Sequence, residues 1–147
     1  MKVVIQRVSS ARVKNNATGE ERKIDKGIVV LAGFSAGERK DVIEYVAEKL
    51  VNLRVFPDAS GSSDFSLSVK DAGFSVLLVP QFTLYGDTRK GRRPDFSAAA
   101  RAEDAEVFFE LFVKTVSEKV KTQTGWFGAY QEVNIAGDGP VTLVFEK

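Results

Sequence analysis

The spacing of apolar residues constrains the fold of this sequence more than any other feature. Most apolar residues occur in short runs that are rich in β-branched side chains and bounded by polar turns. In two longer segments, the apolar residues recur at the spacing of an amphipathic helix. Runs of strands with two long helices, without a regular βαβ alternation, predict an α+β domain built on a largely antiparallel sheet or barrel. The chain of 147 residues fits a single domain, 1–147.

Several segments have the composition and length of strands. They are residues 3–13, 27–34, 53–56, 74–79, 124–127, 129–135 and 141–145. A polar segment returns from the turn at 15–19 to about residue 26. The last two strands are separated by Gly137-Asp138-Gly139-Pro140, which has the composition of a turn.

Two amphipathic helices are predicted. The first follows Ser35-Ala36-Gly37-Glu38, in which serine and glutamate have the spacing of a capping box, and it ends near Asn52. The second spans about 103–121. The apolar stripes consist of Val42, Val46 and Leu50 in the first helix and Phe108, Phe112, Val116 and Val120 in the second. We expect both stripes to face the core.

Composition narrows the functional classes. Apolar residues make up 44% of the chain, charged residues 28%, and the formal net charge is +1, so a polyanion must be bound by a local patch. The chain contains no cysteine, which excludes disulfides and thiolate nucleophiles. Charge interrupts the first residues too early for a signal peptide, and no apolar run reaches the roughly 18 residues of a membrane span. We therefore expect a cytoplasmic protein that does not bind membranes.

The absence of histidine limits any catalytic mechanism. It excludes Ser-His-Asp and Cys-His catalysis, removes the commonest metal ligand, and leaves no side chain that titrates near neutrality unaided. We expect neither a metal nor another cofactor. An enzyme with this inventory must use carboxylates, lysines, hydroxyls, backbone dipoles or the substrate itself.

The segment Pro80-Gln81-Phe82-Thr83-Leu84 follows an apolar strand. Proline inside a central strand removes a ladder donor, so it usually marks an edge or an end. Beyond it, Gln81 and Thr83 fall on one side and Phe82 on the other. A hydroxyl, an amide side chain and free backbone N–H groups can bind a carbonyl and stabilise its oxyanion. The alternative is a strand that simply continues past the proline.

A second segment, Asp138-Gly139-Pro140-Val141-Thr142, precedes the last strand. Gly-Pro before a terminal strand is a common turn, which is the simplest interpretation. Because few X-Pro bonds are cis, the residues alone do not identify the isomer.

A third segment, Arg89-Lys90-Gly91-Arg92-Arg93, concentrates positive charge on a loop between Asp87 and Asp95. Such a run is often solvated surface. The functional interpretation is a phosphate clamp, because arginine forks match phosphate oxygens and glycine lets the backbone come close.

Taken together, these segments resemble the D-aminoacyl-tRNA deacylase family, also called D-tyrosyl-tRNA deacylase, over essentially the whole chain. The matching stretches are Ile5-Gln6-Arg7-Val8, Gln81-Phe82-Thr83-Leu84-Tyr85, the loop from Arg89 to Pro94, Gln123-Thr124-Gly125 with Phe127-Gly128-Ala129, and Asp138-Gly139-Pro140-Val141-Thr142. Two positions differ from the usual pattern, since Pro80 stands where the family has serine and Gly137 where it has asparagine.

The resemblance implies a homodimer of barrel-like subunits with helices outside, acting on aminoacyl-tRNA in a proofreading step. It implies hydrolysis of the ester that joins a D-amino acid, and in some cases glycine, to the tRNA 3′ end. Gln81, Phe82 and Thr83 would form the catalytic pocket. Gly139-Pro140 would be a cis peptide from the partner subunit and would bind substrate, as would Arg7. The tRNA would be bound by Arg89, Lys90, Arg92 and Arg93.

The missing histidine is compatible with this chemistry. A vicinal ribose hydroxyl can assist hydrolysis of the ester, so that the protein has to position it and supply oxyanion donors. Thr83 can instead be a nucleophile, although no base is identifiable beside it. Two other functions remain open: a non-catalytic tRNA-binding module, and an editing domain that acts on an L-aminoacyl-tRNA.

Overall fold

The structure of the chain is a computed structural model, which describes residues 1–61 and 63–147. Its strands are β1 (Lys2–Asn15), β2 (Glu21–Ile24), β3 (Gly27–Gly33), β4 (Arg54–Phe56), β5 (Leu67–Ser68), β6 (Ser75–Pro80), β7 (Lys121–Thr124) and β8 (Gln131–Glu146). The helices are α1 (Lys40–Asn52) and α2 (Ala102–Ser117), and a 3₁₀ turn covers Phe82–Tyr85. Within the described chain, neither helix is long and apolar enough to cross a membrane.

A six-stranded sheet organises the molecule, and its longest pairing joins β1 to β8. Strand β1 pairs antiparallel with β2, β3 and β8, and the sheet continues in the order β2-β1-β3-β6-β7. At the two ends of this order, Arg22 of β2 donates to the Thr124 carbonyl oxygen of β7 at 3.0 Å. This contact nearly closes the sheet into a barrel, and the α+β class predicted from the sequence is confirmed.

The sheet also contains parallel pairs, which the spacing of apolar residues did not predict. Strand β6 runs parallel to both β3 and β7. Parallel neighbours require a long crossover, and α1 and α2 lie in the two crossovers of this sheet. Close approach of β3 and β6 depends on Gly27, because a Cβ there would lie 1.9 Å from the Ser75 carbonyl oxygen.

The main core lies between the sheet and the two helices. The predicted stripes are largely buried: Val46, Leu50, Phe112 and Val116 are at most 2% exposed, whereas Val42, Phe108 and Val120 pack at the margin. A smaller cluster fills the other part of the barrel and includes Val13, Val29, Leu77 and Val79.

The first helix begins later than its predicted cap. The Ser35 amide and hydroxyl both donate to Glu38 Oε2, at 3.2 and 2.9 Å, but α1 starts at Lys40 with Arg39 as the N-cap. The serine and glutamate therefore stabilise the turn before the helix. The second helix also ends earlier than predicted, at Ser117, and the chain then turns into β7.

Three predictions about the C-terminal third are wrong. The strand expected at 124–127 lies at Lys121–Thr124, and 125–130 is a loop. The two strands expected at 129–135 and 141–145 form one continuous strand, β8. The Gly-Pro segment does not interrupt β8, because register shifts opposite Gln6, Val8 and Ser10 of β1 absorb the irregularity.

Candidate active site

The three parallel strands β3, β6 and β7 end at one edge of the sheet, and a cavity of about 770 Å³ opens there. Its walls come from the ends of β3 and β6, from the start of α2 and from the loop after β7. In open α/β sheets, ligands bind at the carboxyl ends of parallel strands. The cavity here occupies the corresponding position.

The end of β6 places Gln81 in this cavity. The Gln81 amide donates to the Ala32 carbonyl oxygen at 2.7 Å, which extends the β3–β6 pairing by one residue. The chain then bends into the 3₁₀ turn, where Leu84 donates to the Gln81 carbonyl at 3.3 Å. A side chain at Gly33 is excluded, since a Cβ would approach the Gln81 carbonyl oxygen to 2.8 Å. Pro80 is the last residue of β6, in agreement with the prediction that it marks a strand end.

The side chains of the turn supply hydrogen-bonding groups next to an aromatic ring. Gln81 Nε2 donates to Thr83 Oγ1. The Phe82 side chain is 57% exposed, and its ring packs edge-on against Phe96 with the centroids 5.1 Å apart. Gln81 and Phe82 line the cavity, whereas Thr83 is the exposed residue beside them.

Two backbone donors remain available at this turn. Among the residues that the structure describes, the amides of Phe82 and Thr83 donate to no backbone carbonyl. They are the first amides of the 3₁₀ turn, which precede any acceptor within it. Free amides at the edge of a cavity can stabilise the oxyanion that forms when an ester carbonyl is attacked.

The opposite wall is the loop at 125–130, which matched the family in sequence but was not assigned to the site. Gln131 accepts a hydrogen bond from the Trp126 amide at 3.0 Å and donates to the Trp126 carbonyl at 3.3 Å. The Arg22 guanidinium lies 4.1 Å from the centre of a Trp126 ring and donates to Thr124 Oγ1 at 2.9 Å. The loop is therefore held at both its start and its end. Glycines at 125 and 128 beside aromatic residues were the available sequence signal.

The Gly139-Pro140 segment lies on β8 and does not line the cavity of its own chain. Both residues are exposed and their peptide bond is cis, the isomer that the family resemblance implied.

Arg7 lies beneath this segment. Its Nε donates to the Asp138 carbonyl at 3.2 Å and its Nη1 to the Val55 carbonyl at 2.7 Å, and the residue is 7% exposed. Arg7 Nε also lies 3.3 Å from the Asp138 carboxylate. These contacts make Arg7 a support for the segment, and the substrate-binding role that the resemblance implied for it stays a prediction.

The basic loop is anchored by the two aspartates that flank it. The Asp87 and Asp95 backbones exchange hydrogen bonds of 2.7 and 2.9 Å. Arg89 Nη2 donates to the Asp87 carboxylate at 2.6 Å, and hydrogen bonding from Arg89 lowers the pKa of Asp87. Within residues 1–61 and 63–147, the remaining cations of the loop form no ion pair; they are Lys90, Arg92 and Arg93, all exposed.

No cluster of potential metal ligands occurs among the described residues. The cavity thus combines a strand end, free amides and a neighbouring basic loop in a barrel-like α+β chain. Free amides suit the oxyanion of a carbonyl compound, and an exposed cluster of cations suits a polyanion.

Comparison with known proteins identifies the family. The family model described as D-Tyr-tRNA(Tyr) deacylase matches residues 4–146, and the chain belongs to this family. Relatives named D-aminoacyl-tRNA deacylase include those of Brevibacillus brevis and Desulfatibacillum aliphaticivorans. Both are 47% identical to this chain over its whole length, and the matches cover 100% and 99% of those proteins. The relative from Clostridioides difficile is 44% identical over 100% of this chain and 97% of its own.

Solved structures are similar over nearly the whole chain. The structure titled c-Myc DNA Unwinding Element Binding Protein has a TM-score of 0.93 and 40% identity, and the match covers 100% of this chain and 99% of that one. A structure described as a probable eukaryotic D-amino acid tRNA deacylase has a TM-score of 0.85 at 16% identity, with 98% and 97% covered. The second likeness establishes the fold.

Proposed function

We propose that this chain is a hydrolase that cleaves the ester bond of D-aminoacyl-tRNA and releases the free D-amino acid and tRNA as a proofreading step. The observation that carries the proposal is the strand end at Gln81-Phe82-Thr83. It presents free amides and a hydroxyl at the edge of a cavity, in a chain that belongs to the deacylase family. The cavity, of about 770 Å³, is within the roughly 300–1,000 Å³ of small-ligand sites.

The proposed mechanism uses position and electrostatics. The amides of Phe82 and Thr83 donate to the ester carbonyl oxygen as negative charge develops on it. Gln81 holds the Thr83 hydroxyl by a hydrogen bond, so that this hydroxyl is oriented before substrate arrives. The ribose hydroxyl next to the ester assists attack on the carbonyl carbon. The attacking group is water, which adds to the carbonyl carbon and loses a proton. The bond between that carbon and the ribose oxygen then breaks and the ribose oxygen takes up the proton, so that the products are the carboxylic acid and the tRNA hydroxyl.

The Gly139-Pro140 segment is proposed to act in the partner subunit of a homodimer. It is exposed and does not line the cavity of its own chain. Arg7 holds its base from inside the protein, so the segment is presented as a fixed backbone surface. Backbone carbonyls can accept hydrogen bonds from the substrate ammonium without selecting a side chain. Such a surface suits an enzyme that rejects one hand of many amino acids.

The basic loop is proposed to bind tRNA phosphates. Lys90, Arg92 and Arg93 are exposed, and the loop borders the turn through the contact between Phe96 and Phe82. Arg89 is engaged by Asp87, and we assign it a weaker part in phosphate binding. We place the protein in the cytoplasm, where aminoacyl-tRNA is made and used.

Incubation with D-tyrosyl-tRNA and L-tyrosyl-tRNA tests the proposed function. We expect release of tyrosine from the D form and none above the uncatalysed rate from the L form. Release from both would indicate an editing domain without chiral selection. Binding without release from either would indicate a non-catalytic tRNA-binding module and would contradict the proposal.

A further inference from the structure

The size of the cavity limits how much of a tRNA it can hold. A cavity of about 770 Å³ matches a single small ligand, and therefore the terminal aminoacylated nucleoside. The tRNA acceptor end continues as a single strand, so the preceding nucleotides must leave over the rim. The residues of that rim are candidates for contacts with unpaired bases.

One aromatic residue stands out on the rim. Tyr130 lines the cavity but its side chain is 85% exposed, compared with 57% for Phe82. Phe82 also has a partner ring in Phe96, whereas the Tyr130 ring makes no aromatic or cation contact within the described parts of the chain. The phenol therefore presents its faces to solvent at the mouth of the cavity.

The backbone that carries Tyr130 is held in place from both sides. The Asn16 amide donates to the Tyr130 carbonyl at 3.1 Å. The next residue, Gln131, bonds to both backbone groups of Trp126, and Trp126 is stacked against Arg22. Because the backbone is held, binding has to order only the side-chain torsions of Tyr130, which limits the loss of conformational entropy.

We propose that Tyr130 is a stacking platform for the unpaired nucleotide that precedes the esterified one in the tRNA 3′ strand. Proteins bind single-stranded nucleic acid by stacking bases on aromatic side chains next to basic residues. Arg22, which is anchored to Thr124 and ion-paired with Glu20, stacks on Trp126 and keeps the wall beside Tyr130 in place. The assignment rests on the proposed function, because that function places the terminal nucleoside in the cavity.

A comparison of two substrates tests the platform. One is D-tyrosyl-tRNA, and the other is D-tyrosyl-adenosine, which has the terminal nucleoside and no preceding nucleotide. For Tyr130→Ala we expect KM for D-tyrosyl-tRNA to rise about 5- to 100-fold, with kcat nearly unchanged. KM for D-tyrosyl-adenosine should change much less than KM for D-tyrosyl-tRNA, because this substrate lacks the nucleotide that is proposed to stack, and Tyr130→Phe should behave as the parent with both substrates. Tyr45→Ala, which removes a tyrosine that is 48% exposed on α1, is the matched control.

The outcomes separate this assignment from the proposed function. If the parent hydrolyses neither substrate, the proposed function is wrong. If the parent is active and Tyr130→Ala loses activity equally with both substrates, the proposal that Tyr130 stacks on the preceding nucleotide is wrong. It is also wrong if Tyr130→Ala loses activity with neither substrate. A change in oligomeric state for Tyr130→Ala, measured by sedimentation, would assign the ring to a contact between subunits and would also overturn it.

Discussion

Strands β3 and β8 both border β1, but they differ in what covers them. All residues of β3 are buried except Leu31, which is partly exposed. None of the 16 residues of β8 is buried, and Val144 is 75% exposed. Buried β3 and β6 fix the position of the cavity, whereas β8 carries the Gly139-Pro140 segment on an open surface. The two parts of the proposed site therefore depend on different physical supports, one on core packing and the other on hydrogen bonds from Arg7 beneath an exposed strand.

The largest expected effect is on the free energy of unfolding, when a leucine side chain is truncated in a buried strand and in an exposed one. Leu78 of β6 is fully buried in the main core, and Leu143 of β8 is 37% exposed. Leu78→Ala should lower the free energy of unfolding by about 2–5 kcal/mol. Leu143→Ala should cost less than about 1 kcal/mol. Denaturant unfolding of both variants at low protein concentration measures the difference.

If Leu78→Ala and Leu143→Ala lowered the free energy of unfolding equally, the contrast between buried and exposed strands would be contradicted. Such a result would mean that β8 is covered in solution. If the effect of Leu143→Ala depended on protein concentration, a second copy of the chain would provide the cover.

Alanine substitutions of two glycines on β8 test whether activity depends on the backbone at Gly139 in particular or on the whole strand. A Cβ at Gly139 would lie 2.9 Å from Arg7 Nη2, and its φ is +118°. A Cβ at Gly137 meets no atom within 4 Å. Gly139→Ala should lower kcat/KM for D-tyrosyl-tRNA by at least about tenfold, because a displacement of about 1 Å at a site is costly. Gly137→Ala should retain activity close to that of the parent. Loss of activity in both variants to the same degree would show that β8 is sensitive along its whole length.

The sequence predicts the buried parts of the fold better than the exposed ones. The strands at 27–34 and 74–79 and the helical stripes follow from apolar spacing, because burial itself imposes that spacing. The continuity of β8 does not, since Gly-Pro has local turn chemistry and the shifts in register with β1 occur far away in sequence. The parallel pairing of β6 with β3 was missed for a related reason: local pattern does not specify which strand becomes the neighbour.

In the candidate site, too, local sequence pattern predicts some residues, whereas others depend on contacts between distant parts of the chain. Gln81 and Phe82 could be selected because a proline marks the strand end beside them. The wall formed by the Trp126 loop depends on side-chain hydrogen bonds from Gln131, and no spacing rule encodes such contacts. The role of Arg7 in substrate binding stays a prediction, and its hydrogen bonds to the carbonyls of Val55 and Asp138 join segments that are far apart in the sequence. These partners become apparent only when the chain is folded.

Thr83 tests whether the strand end acts through its backbone or its side chain. If the substrate assists its own hydrolysis, Thr83→Ala should keep measurable deacylation, within about 100-fold of the parent, because the amides of Phe82 and Thr83 persist. Replacement of the ribose 2′-hydroxyl of the terminal nucleoside by hydrogen should reduce the rate further. Single-turnover hydrolysis of the two substrates by the two proteins measures both effects. Complete loss in Thr83→Ala, together with an acyl-enzyme trapped in the parent, would make the threonine a nucleophile.

The basic loop should give the smallest effect, and it tests whether an exposed cluster of charge binds or is merely solvated. Arg92→Gln with Arg93→Gln should weaken tRNA binding and reduce the slope of log K against log salt by roughly one unit for each phosphate that is no longer bound. Arg89→Gln is the control within the same loop, because Asp87 already engages the Arg89 guanidinium, and it should change the slope less. Hydrolysis of tRNA-bound substrate at saturation should change little in either variant. An unchanged slope in the double variant would show that Arg92 and Arg93 do not bind phosphate.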